Sequence, residues 1–67
     1  MKQFKKFDIL KVVKPSHHDE MLNICKKDDI CVVVGKNHLS DYFILEVQFT
    51  DGRRVYLDKN TELERLK

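Results

Sequence analysis

The stretch Tyr42-Phe43-Ile44-Leu45-Glu46-Val47-Gln48-Phe49-Thr50-Asp51-Gly52-Arg53-Arg54-Val55-Tyr56-Leu57-Asp58 decides the fold of this chain. As far as Thr50, Phe43, Leu45, Val47 and Phe49 fall on one face and Tyr42, Ile44, Glu46 and Gln48 on the other, the period of two expected of a half-buried strand. Asp51-Gly52 follows at once, the dipeptide favoured where a two-residue type I′ turn needs positive φ. Arg53 to Asp58 then resumes the alternation, with Val55 and Leu57 opposite Arg54 and Tyr56. Two antiparallel strands joined as a hairpin are expected.

Upstream, Ile30-Cys31-Val32-Val33-Val34 ends at Gly35; it is too short for a buried helix and too β-branched to favour one. Further back, Phe7-Asp8-Ile9-Leu10-Lys11-Val12-Val13 reads as the first strand, closed near Lys14 because Pro15 holds the residue before it in extended geometry. Residues 15 to 28 lack alternation and form a long first loop. Within it, Ser16 with Asp19 and Glu20 has the pattern of a capped helical turn carrying Met21, Leu22 and Ile24. After a turn near Asn60, Leu63 and Leu66 anchor a last strand. No internal repeat is read.

Five short strands must bury one apolar face, and closing the sheet on itself does so while protecting its edges. The expected architecture is an all-β, five-stranded barrel spanning residues 1–67 as a single domain. The alternative is a sheet of strands one to four packed against a helix over residues 16 to 27. At 67 residues the chain buries a small share of its surface and leaves no room for an enclosed substrate cavity.

The opening Phe7 to Val13, the middle Asp29-Ile30-Cys31-Val32-Val33-Val34-Gly35 and above all Val47 to Leu63, with its strand, Asp-Gly turn, strand and short polar turn, resemble SH3-like barrels of the KOW and photosystem-accessory kind. Where those families carry glycine, this chain has Cys31. The resemblance implies a fold and transfers no functional residue. Barrels of this kind serve ribosomal proteins, electron-transfer accessories, peptide binders and phage-encoded inhibitors, so a phage origin is compatible with it.

Catalytic and metal chemistry find little footing. His17, His18, Asp19, Glu20, Cys25, Cys31 and His38 are competent ligand types. Yet Cys-x5-Cys matches no common zinc knuckle and Cys31 falls within a strand, so neither metal nor cofactor is expected and the default is two free thiols. Cys25 or Ser16 near the histidines lacks a nucleophile elbow, and Gly35 and Gly52 are the only glycines, so there is no phosphate loop. No enzymatic activity is expected.

A binding module fits better. The surplus of apolar residues on the second face of the strands needs the long loop, a partner or a second copy to cover it. The expected protein-binding set is Lys11, Tyr42, Ile44, Arg53, Arg54 and Tyr56, docking on a larger protein, with a homodimer as a further option. The competing reading is nucleic-acid binding through Lys5, Lys6, Lys11, Arg53 and Arg54. Residues 1 to 14 do hold five lysines against Asp8, a local +4, but the whole chain reaches only +2, short of a committed nucleic-acid binder. Ile30 to Val34 is the longest apolar run and the N-terminus opens without a signal-peptide core, so no membrane partner and a cytoplasmic setting are expected.

Overall fold

A computed structural model describes residues 4–67. Five strands form one antiparallel sheet: β1 (Ile9–Lys14), β2 (Ile30–Lys36), β3 (Phe43–Phe49), β4 (Arg54–Asp58) and β5 (Glu62–Arg65), with helix α1 (His17–Met21) between β1 and β2. Their order is β4-β3-β2-β1-β5. The protein is mostly β with little helix, as expected, but the sheet is not closed into a barrel: β4 and β5 are its two edges. The helix stops at Met21, five residues long, which rules out a helix running on to residue 27.

Alternation places the core. Leu10 and Val12 of β1, Cys31 and Val33 of β2, Leu45, Val47 and Phe49 of β3 and Leu57 of β4 are buried on one face. Cys25 joins them from the loop. In β1, where either pair of residues could have pointed inward, Leu10 and Val12 do so and leave Ile9 and Val13 exposed.

Three β-bulges bend the sheet, and their extra residues sit on the interior strands. The register of β1 with β5 shifts between Val12 and Lys14, that of β2 with β3 between Val33 and Gly35, and that of β3 with β4 between Phe43 and Leu45. The unmatched residues are therefore Val13, Val34 and Ile44. Each bulge kinks its strand and adds right-handed twist, which curls the five strands around one core within 26 × 24 × 22 Å. The third bulge also corrects an expectation. Ile44 does not face outward from β3; the extra residue resets the alternation, and Ile44 packs against the core instead.

The β3–β4 connection is a three-residue loop, Thr50-Asp51-Gly52, rather than a two-residue type I′ turn. Gly52 N–H donates to Phe49 O at 2.9 Å, and Phe49 N–H to Arg53 O at 2.8 Å. Gly52 has φ 95° while Asp51 stays out of the positive region, the pattern of a type I turn followed by a left-handed glycine bulge. Helix α1 is capped at both ends. Ser16 Oγ accepts from Asp19 N–H at 3.0 Å, and at the other end Asn23, with φ 57°, donates to Glu20 O while Ile24 N–H reaches Asp19 O at 2.8 Å, a Schellman closure.

A short repeat, against the expectation of none, frames the β1–β2 ladder. Lys5-Lys6-Phe7-Asp8-Ile9 and Lys26-Lys27-Asp28-Asp29-Ile30 make the same turn. In each, the aspartate's N–H donates to the first lysine's carbonyl (3.0 and 3.1 Å) and its carboxylate accepts from that lysine's N–H (2.8 Å in both). The third residue has positive φ, 75° at Phe7 and 74° at Asp28, as position i+2 of a type II turn requires. From there Phe7 N–H donates to Val33 O and Asp28 N–H to Val12 O, at 2.8 and 2.7 Å, so the two turns are related by the local two-fold of the antiparallel pair. Aspartate tolerates this backbone; a phenylalanine is strained in it. Because Phe7 is 73% exposed, Phe7→Gly removes strain at little packing cost, and a stabilisation of about 0.5–1 kcal/mol is expected. A urea midpoint unchanged or lowered by the substitution would refute that account.

Candidate functional site

Three places on this fold carry chemistry or unpartnered surface: a buried polar cluster, the outer sheet face and a cleft beside the β4–β5 turn. The cluster brings Ser16 and Asp19 of the α1 cap against Asp58 and Thr61 at the end of β4, all four buried. The two hydroxyls work in both directions. Ser16 Oγ accepts from Asp19 N–H and donates to Asp58 Oδ2; Thr61 Oγ1 accepts from Ser16 N–H at 2.9 Å and donates to Asp19 Oδ2. Asp58 Oδ1 takes the N–H groups of Asn60 and Thr61 at 2.7 and 3.1 Å. Burial raises the Asp58 carboxyl, but hydrogen bonds from Ser16, Asn60, Tyr42 and Thr61 outweigh it and hold the group below its ordinary value.

His18 completes the cluster. Its Nδ1 lies 3.1 Å from Asp19 Oδ1 and 3.9 Å from Asp58 Oδ2, and because a carboxylate only accepts, that nitrogen carries its hydrogen. The ring stands 5.1 Å from Phe43 and 6.2 Å from Tyr42. Burial, then the nearby Asp58 charge, pushes the Tyr42 phenol up. Among the described residues His18, Asp19 and Asp58 form the one group compact enough to suggest a metal. Every carboxylate oxygen in it already has a protein partner, so the arrangement is that of a clamp tying the first loop to the β4–β5 turn.

The remaining ligand candidates go elsewhere. Cys25 and Cys31 are free and buried in the core. Burial pushes the Cys25 thiol up to about 12, helped by the charges of Asp19 and Asp29, and burial with Asp29 pushes Cys31 up to about 11. Burial thus favours the protonated thiol of both at neutral pH.

The expected protein-binding residues fall in four places. Lys11 on β1 and Arg54 and Tyr56 on β4 share the outer face of the sheet, where Lys11 Nζ lies 3.7 Å from Glu64 and Arg54 reaches Gln48 Oε1 at 3.5 Å. Arg53 is occupied: its Nε lies 2.7 Å from Asp51 Oδ2, its Nη1 donates to Ile24 O at 3.0 Å, and it covers the Phe49 ring. Tyr42 stands by the clamp. Ile44 lines the cleft. Of the alternative nucleic-acid set, Lys5 and Lys6 sit on the first Lys-Lys turn, with the Lys6 ammonium 5.2 Å from the Phe7 ring.

The apolar surplus expected on the second face of the strands lies on that outer face. Ile9 pairs with Val32, Val32 with Gln48 and Gln48 with Arg54, a row across four strands. Leu66 N–H donates to Ile9 O at 2.8 Å, extending the row past β5. Ile9, Leu66 and Phe7 are exposed; the odd-numbered register Phe7, Ile9, Lys11, Val13 marks the two on the first strand, while Leu66, expected to anchor the last strand, lies past the end of β5 and is half exposed, leaving Leu63 as the anchor. The helix does not cover this face, since it packs on the end of β4; its own Met21 and Leu22 are exposed too.

The cleft, of about 490 Å³, opens beside the β4–β5 turn and is lined by Phe4, Ile44, Leu45, Leu57 and Leu63 with Lys36, Lys59 and Glu62. It is an open groove and not an enclosed cavity. Comparison of the chain with protein-family models, curated proteins and solved structures finds no match.

Proposed function

We propose that this protein is a non-enzymatic binding module, an open relative of the SH3-like barrels, that docks on a larger protein through the outer face of its sheet. The strand order, β5 beside β1 and a β2–β3–β4 meander, is what supports the SH3-like reading. The observation that carries the docking reading is the exposure of Phe7, Ile9 and Leu66 at the β1–β5 side of the outer face, with Tyr56 exposed on β4 at its other side. Exposed apolar surface rimmed by charge marks contact sites. Lys6 and Lys11 adjoin these residues and Arg54 ends the Ile9–Val32–Gln48 row on β4, so the fitting partner offers an apolar patch edged by carboxylates, with the cations steering approach and the apolar side chains supplying contact area. A cytosolic setting belongs to the proposal, and two free thiols suit a reducing compartment. No helix among the described residues is long and apolar enough to cross a membrane.

The test is capture of partners by the tagged protein from its native cytosol, with and without nuclease, comparing wild type with Ile9→Ser/Tyr56→Ala. One dominant protein that survives nuclease and is lost by the double variant is expected. A partner retained by that variant sinks the surface. Partners lost with nuclease, at an affinity falling steeply with salt, would move the nucleic-acid reading through Lys5, Lys6, Lys11, Arg53 and Arg54 ahead.

A further inference from the structure

The outer edges of β4 and β5 have no partner strand among the described residues. They do not pair with one another. From the short turn that links them, β4 runs into the ladder with β3 and β5 into the ladder with β1, and the apolar cleft opens beside that turn. An unpaired edge is a template for another strand, and folds guard such edges with short strands, charges, prolines or bulges. Here β4, Arg-Val-Tyr-Leu-Asp, has neither proline nor lysine, and β5, Glu-Leu-Glu-Arg, is guarded by its shortness and its charges, which an oppositely charged edge would satisfy. The bulges that could twist an edge away place their extra residues on β1, β2 and β3.

The two edges carry opposite charge. Along β4 the available cations are Arg54 and, just past the strand, Lys59, both exposed; the strand's own carboxylate, Asp58, is buried in the clamp. Along β5 Glu62, Glu64 and Arg65 are all exposed, Glu64 lying 3.7 Å from Lys11 and Arg65 3.6 Å from Asp8 within the same chain, so the strand's own charge is −1. The segment that best complements a basic, apolar edge Arg-Val-Tyr-Leu is thus the alternating acidic and apolar Glu-Leu-Glu of the same sequence. Opposite charges on adjacent strands stabilise pairing, and like charges oppose it.

We infer that the chain associates head to tail with further copies of itself, the β4 edge of one copy pairing with the β5 edge of the next. Such a contact is heterologous, so it closes into a ring or extends. It uses backbone edges and does not rest on the docking reading above; of its charged residues Arg54 alone belongs to both surfaces, and the Glu62→Lys/Glu64→Lys variant tests the edge without it.

Sedimentation from micromolar to millimolar concentration tests it. Wild type is expected to rise above the 8.0 kDa of one chain. Arg54→Glu/Lys59→Glu reverses one edge and Glu62→Lys/Glu64→Lys the other; each alone is expected to weaken association by about tenfold or more. Mixing the two variants makes a Glu-bearing β4 edge meet a Lys-bearing β5 edge, and leaves the other contact wild type, so the mixture is expected to associate as wild type does. A misfolded variant would not be rescued in this way. A single-chain mass at every concentration overturns the inference, and so does association that neither reversal changes.

Discussion

Replacing Asp19 with alanine is expected to remove about 3–5 kcal/mol of folding free energy, the scale for breaking a buried, charge-assisted network by deleting one member. Asp19 is fully buried, and its carboxylate is the acceptor for the Thr61 hydroxyl, the Asp58 N–H and His18 Nδ1. Alanine strands the first two in a space closed to water, and each orphaned donor costs about 1–3 kcal/mol. Small domains have on the order of 0.05–0.15 kcal/mol of stability per residue, so this single change takes the chain close to unfolding at room temperature. Asp19→Asn keeps an acceptor for Thr61 and the Asp58 amide and is expected to cost clearly less. Thr61→Val removes the same bond from its other end. In urea unfolding the double variant Asp19→Ala/Thr61→Val should therefore lose less than the sum of the single variants, because both delete one shared interaction. Additive losses would mean that the two side chains are not coupled and that the clamp is not a unit.

The clamp also shows how far the sequence could be read. Its α1 half was legible, because Ser16 followed by Asp19 is a local capping pattern whose geometry depends on neighbouring residues alone. Its other half was not: Asp58 sits at the end of a strand that reads as an ordinary alternating segment, and nothing local pairs it with a helix cap far upstream. The bulges were hidden for a different reason. Val13 and Val34 each follow another valine and Ile44 stands between the apolar Phe43 and Leu45, so an extra residue leaves no break in the apolar runs, yet it reverses which side chains face inward beyond it. That is why Lys11, Arg54 and Tyr56 lie on the expected face while Ile44 does not. Arg53 is turned back by the Thr50-Asp51-Gly52 loop onto Asp51 and the Ile24 carbonyl, a contact that no local pattern announces. The Lys-Lys-x-Asp-Ile repeat stood in the sequence, disguised by the unlike third residues, phenylalanine and aspartate, which share only their backbone.

Acid is expected to loosen the protein through Asp58. In the folded chain its carboxyl is held below the ordinary carboxylate value because donors from Ser16, Asn60, Tyr42 and Thr61 favour the charged form more than burial disfavours it. A group depressed on folding contributes stability that is fully present above its unfolded value, near pH 4, and is lost as pH falls through the lower, folded one. The urea midpoint should therefore hold steady from neutral pH to about 5 and drop below about 4. Asp58→Asn keeps an acceptor for the Asn60 and Thr61 amides but has no charge to lose, so it should begin from a lower stability at neutral pH and show a flatter acid limb. Asp58→Ala leaves the Ser16 hydroxyl and both amides unpaired and is expected to cost about 3 kcal/mol or more at neutral pH. Asp51 is held low as well, by hydrogen bonds from Arg53, but it is exposed in its loop, so Asp51→Asn should barely change the limb. An acid limb as steep in Asp58→Asn as in wild type would place the acid-labile group elsewhere and leave the clamp without a role in it.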